Sequence, residues 1–73
     1  MEATLQQFGA NVRAARAARG WTQEDLAHRS GLAVVQVSRV ERGKREIRLT
    51  TLLRLLEAFE AQPDELLRDL RSS

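Results

Sequence analysis

Seventy-three residues with 42% hydrophobic side chains, two Phe, one Trp and no Cys make a single domain over 1–73, near the lower size limit for an unstapled core. No separate effector-binding domain is expected at this length, and without cysteine neither a disulfide framework nor a thiolate metal site can be built. The net charge of +2 is uneven: ten basic and five acidic residues lie up to Leu56, and two basic and five acidic from Glu57 onward, giving +5 and −3, so the first part carries a phosphate-binding footprint.

The N-terminus, MEATLQQFG, lacks the basic start and apolar run of a signal peptide, and no stretch is apolar enough to span a bilayer. The expectation is a soluble, cytoplasmic protein with no membrane contact. A first helix is predicted from Thr4 to Arg19, where Leu5, Phe8, Val12 and Ala15 recur at helical spacing and Gly20 closes the end. With so few aromatics, a core of Leu, Val and Ala suits packed helices better than a sheet, and the class expected is all-α.

Thr22 is an N-cap residue with Asp25 three positions on as a short acidic capping-box partner. Trp21 before the cap and Leu26 beyond it are spaced as a hydrophobic staple, which makes packing the role of Trp21 rather than base stacking. The second helix starts at Thr22 or Gln23 and stops at Ser30-Gly31, where glycine takes the positive φ that ends a helix. His28 stands alone on its outer side, with no second His, Cys or patterned carboxylate to share a metal. No cofactor is implied anywhere in the chain.

A new apolar rhythm, Leu32, Ala33, Val37 and Val40, begins a third helix whose inner face it forms. Two helices crossing steeply through so short a turn need a small residue where one passes over the other, and Ala27 supplies it. This is the anatomy of a helix-turn-helix, whose second helix lies in the DNA major groove. Val35, Ser38, Arg39 and Arg42 then face outward, with Val34 and Gln36 on the flanks. Two adjacent exposed valines are unusual on a helix, since β-branching lowers helix propensity. Single exposed apolar residues are ordinary, but at the start of a reading helix Val34 and Val35 are better placed to touch thymine methyl groups.

Arg42-Gly43-Lys44-Arg45 follows, with Gly43 ending the helix and three cations placed to track a phosphate strand. Thr50 is the expected cap of a fourth helix running to about Ala61. Leu52, Leu53, Leu55, Leu56 and Phe59 cover more than one face of it, and the excess points to self-association. Pro63 suits the first position of a fifth helix, with Asp64 and Glu65 favouring its dipole and Leu66, Leu67 and Leu70 following. The tail Arg71-Ser72-Ser73 is expected to fray.

With Gln23 as the first of twenty positions, Leu26, Ala27, Gly31, Leu32, Val37 and Val40 fall fourth, fifth, ninth, tenth, fifteenth and eighteenth, and the stretch resembles the helix-turn-helix of the Cro/XRE family. The flanks GWTQEDLA and SRVERGKR are similar to that family's wording, and the likeness extends over nearly the whole chain. It implies a five-helix, lambda-repressor-like domain. It also implies that Arg16 and Glu41 form a structural pair between the first and third helices, and that Gln23 contacts a backbone phosphate. The departure is at Leu32-Ala33-Val34-Val35, where the family usually has a Ser, Thr or Asp cap and polar reading residues.

Base contacts are therefore assigned to Val34, Val35, Gln36, Ser38, Arg39 and Arg45, with Arg39 able to fork onto guanine O6 and N7, although a solvated arginine paired with Glu46 is the plainer alternative. Phosphate contacts are assigned to Gln23, Arg42 and Lys44. A dimer interface is assigned to Leu52, Leu53, Leu56, Phe59 and Leu66. The function implied is a homodimeric regulator of transcription on a near-palindromic double-stranded DNA operator, blocking RNA polymerase or touching it from an upstream site. The ERGKR-EIRLTTL run resembles restriction-modification controller proteins within the family. The alternative is a protein-interaction module, or antitoxin-like adaptor, that kept the fold. No nucleophile-base pair, carboxylate dyad or phosphate loop suggests an enzyme.

Overall fold

A computed structural model describes residues 2–71, and in it the chain folds as five helices with no strand among the described residues. The first, α1 (Glu2–Ala18), buries Phe8, Val12 and Ala15 on one face. It is longer at its start and one residue shorter at its end than the apolar spacing implied, and it closes through the Trp21 N–H, which donates to the Arg16 carbonyl at 3.1 Å. The expectation of fraying touches Ser72 and Ser73, which lie outside the described residues.

The cap read from the sequence forms in full at α2 (Gln23–Ser30): the Asp25 N–H donates to Thr22 Oγ1 at 3.0 Å and the Thr22 N–H to Asp25 Oδ2 at 2.9 Å. Gly31 takes φ 74°, and the N–H groups of Gly31 and Leu32 both donate to the Ala27 carbonyl. An L-residue would be strained in that left-handed conformation, so glycine lets the chain reverse here within three residues. Trp21 packs against the core and stacks on Phe59 at 5.6 Å between centroids, with the Arg29 guanidinium 4.2 Å from the centroid of the Trp21 ring.

Helix α3 (Val34–Arg42) buries Val37 and Val40. Ala33, expected on its inner face, is instead the exposed N-cap residue, because the helix begins at Val34 and Ala33 has extended rather than helical backbone angles. Alanine has no side chain to accept from the first turn, but the reciprocal half of a capping box is present: Gln36 Oε1 accepts the Ala33 N–H at 2.9 Å.

Helix α4 (Leu49–Phe59) also differs from expectation. Its N-cap is Arg48, with no side-chain cap, and Thr50 lies in the first turn; it ends at Phe59 rather than near Ala61, with Glu60 at φ 52° as its C-cap. Pro63 opens α5 (Pro63–Leu67).

The core gathers Phe8, Val12, Leu26, Val37, Leu55, Phe59 and Leu66. Phe59 and Leu66, assigned to a dimer interface, are thus inside the protein's own core. Phe59 goes inward because α4 packs on α2 and the ring stacks on Trp21, and Leu66 because α5 folds back on α1, where buried Asn11 donates to the carbonyls of Leu66 at 2.8 Å and Arg68 at 2.9 Å. Removed from water in one chain, these two side chains have no area to offer a second. The leucines left outside are Leu49, 70% exposed, with Leu53 and Leu67, while Leu52 and Leu56 are half-buried.

Candidate nucleic-acid interface

Since Val37 and Val40 seat α3 on the core, helical geometry turns the opposite side outward. Val34, Val35, Gln36, Arg39 and Arg42 are exposed there, Val35 to 56%, and Ser38 is half-buried. Arg39 makes no ion pair with Glu46 or with any other described residue. Gly43 ends the helix in a left-handed conformation and Lys44 and Arg45 follow it, both exposed. Gln36 stands at the edge of this face with its carbonyl oxygen committed to the cap, so its amide N–H groups are what it has to offer. A cleft of about 390 Å³ separates α3 from α4, floored by Leu32, Val40 and Ile47 and rimmed by Arg39, Arg45 and Arg54.

The helix is held from behind by Glu41, whose side chain is 2% exposed. Arg16 grips it in a fork, Nε to Oε2 at 2.6 Å and Nη2 to Oε1 at 3.0 Å, and its remaining Nη1 donates to the Trp21 carbonyl at 2.9 Å. Gln23 Nε2 donates to Glu41 Oε1 at 3.0 Å, and the exposed Arg13 brings Nε to 3.7 Å from the same oxygen. Burial works to raise the pKa of the Glu41 carboxyl, but the hydrogen bonds from Arg16 and Gln23 outweigh it and hold the group below its usual value. The Glu41 hydrogen bond raises Arg16 in turn. The structural pair Arg16–Glu41 is therefore present, and Gln23, assigned to phosphate, sits half-buried at the start of α2 as part of the same network.

Sequence reasoning passed over Arg13 and Arg54. Arg13 precedes Arg16 by one helical turn, so it lies on the same flank of α1, and that spacing was available as a signal. Arg54 reaches the Gly31 carbonyl at 3.4 Å across the cleft, a contact that depends on how α4 packs on α2.

A helix-turn-helix seated on three further helices, its second helix presenting an apolar and basic face, is the construction of the Cro/XRE-type regulators. The helix-turn-helix family model matches residues 12–66, and the chain belongs to that family. Among solved structures, it is similar to the restriction-modification controller protein C.AhdI from Aeromonas hydrophila, at 44% identity and TM-score 0.84 over 88% of this chain and 97% of that one. It is also similar to the clp gene regulator ClgR from C. glutamicum, at 30% identity and TM-score 0.80 over 88% of this chain and 83% of that one. The restriction-modification controller protein C.Esp1396I shares 29% identity and TM-score 0.76 over 81% and 77%. No functionally curated protein matches the chain.

Proposed function

We propose that the protein is a sequence-specific DNA-binding regulator of transcription that acts as a homodimer on a near-palindromic operator. The observation that carries this reading is the exposed face of α3, which sets Val34 and Val35 at its N-terminal end and Arg39 and Arg42 toward its C-terminal end, while Glu41 locks the opposite side to α1. Valine methyls match thymine methyls, and a guanidinium fork matches guanine O6 and N7. Lys44 and Arg45 add cations suited to phosphate.

Pairing of two copies is supported by the exposed leucines Leu49 and Leu53 on α4, the helix that follows the reading helix in the chain. Two reading helices related by a two-fold axis would enter successive major-groove faces about 34 Å apart. The likeness to C.AhdI over nearly all of that chain's length supports the narrower role of a restriction-modification controller. Selection of bound oligonucleotides from a random duplex pool tests the proposal: a symmetric consensus is expected, and recovery of no preferred sequence would refute it.

A protein-interaction module is the competing reading, favoured by the exposed Val34–Val35 pair. Salt separates the two, because contact with several phosphates makes duplex affinity fall steeply as salt rises, while docking of a partner on valines does not.

A further inference from the structure

Glu41 is part of the reading helix, yet its carboxylate gathers groups from both other helices of the DNA-facing side: Arg13 and Arg16 from α1 and Gln23 from α2. Two guanidinium groups around one carboxylate leave one positive charge in excess. Arg16 is committed, since its three bonds to Glu41 and the Trp21 carbonyl hold it in a pocket that is mostly closed. Arg13 is different. Its side chain is 67% exposed and its 3.7 Å approach to Glu41 is longer than a hydrogen bond, so it spends no N–H donor on a hydrogen bond among the described residues.

Gln23 complements it. One proton of its Nε2 goes to Glu41 and the second is left over, at the first turn of α2, where backbone N–H groups have no acceptor inside the helix. Of the nearby acidic groups, Asp25 is folded back on to the Thr22 N–H, and Glu24 is exposed on the same turn. Its charge opposes a doubly charged phosphate monoester more than a singly charged diester.

We infer that Arg13 joins Gln23, whose phosphate contact the family resemblance already implies, in a clasp for one phosphodiester of a DNA strand, with Glu41 as the positioning residue that sets their separation. The inference rests on the DNA-binding reading of α3 and adds α1 to the contact surface. It also gives the network a purpose beyond holding α1 to α3. The same carboxylate that orients the reading helix orients the clasp, so a phosphate seated there would set the depth at which α3 meets the bases.

The test is the salt dependence of duplex binding for the wild-type chain, Arg13→Ala, Arg13→Lys, Gln23→Ala and the Arg13→Ala/Gln23→Ala double variant. Arg13→Ala should lower the slope of log K against log salt by about 0.9, the value for one lost phosphate contact on B-DNA, and Arg13→Lys should restore it. Affinity should fall by the same factor on a selected and on a random duplex, and the double variant should lose less than the product of the two single losses. An unchanged slope in Arg13→Ala beside a salt-dependent wild type overturns the clasp alone, as do single losses that simply multiply. A wild type without salt-dependent duplex binding overturns the DNA reading and the clasp together. Arg13 is exposed, and matching thermal melts of the variants show that the fold is kept.

Discussion

Replacing Glu41 by Gln removes one charge from a site that cannot readily dissipate the consequences. The carboxylate is 2% and its partner Arg16 16% exposed, so the variant leaves a guanidinium poorly solvated and without its counter-ion. The new amide also offers N–H groups to one edge of Arg16, where only an acceptor fits. Breaking a buried pair from one side costs about 3 to 5 kcal/mol, and the residual exposure of Arg16 puts this case near the lower end, at about 3 kcal/mol. For a domain of this size each kcal/mol is roughly 4–8 °C, so the melting temperature should fall by roughly 12–24 °C at neutral pH.

The pH dependence has a definite sign. Glu41 titrates lower in the folded chain than its ordinary value, so its contribution is complete above the unfolded pKa, about 4.3, and is lost as pH falls through the folded value. Asp25 and Glu65 are also held low, by the Thr22 backbone N–H and by Arg19 respectively, so the wild type loses further stability over the same window. Comparison of the two proteins isolates Glu41. Thermal melts by circular dichroism between neutral pH and about pH 3 should show a wide gap that narrows in acid. A gap under about 1 kcal/mol at neutral pH, or one that stays constant into acid, would refute the reasoning.

Arg39→Ala should relax base preference, whereas Lys44→Ala should weaken selected and random duplexes alike and flatten the salt dependence; equal losses on both duplexes for Arg39→Ala would remove its reading role. Leu53→Glu places a charge on the exposed leucine face of α4 and should shift the sedimenting species to monomer, and an unchanged mass would take that face out of the dimer. Gly9→Ala should destabilise although alanine favours a helix by about 1 kcal/mol, because its Cβ would stand 2.5 Å from the carbonyl oxygens of Val40 and Glu41. A raised melting temperature for that variant would mean the two helices do not approach so closely.

Local chemistry made much of the fold legible in advance. Thr22 and Asp25 need only each other to cap a helix, Gly31 needs only its own backbone to turn, and the spacing of Val37 and Val40 names a buried side without reference to its partner. These are interactions within a few residues, so they are written in the order of the chain. The Arg16–Glu41 pair, 25 residues apart, was reached only through family resemblance.

Tertiary packing decided the rest. The leucines and phenylalanine of the last two helices exceed what one helix face can bury, and only the packing of α4 on α2 and the return of α5 on to α1 determine that Phe59 and Leu66 go inward while Leu49 and Leu53 stay out. Ala33 is apolar and at helical spacing, yet the exact start of α3 leaves it outside. Gly9 looks like a weak point in a helix until the backbone of α3 is laid against it. Arg13 reads as one surface charge among many until Glu41 draws it beside Gln23. In each case the deciding neighbour is remote along the chain, and periodicity records which side of an element is apolar but not what that side will meet.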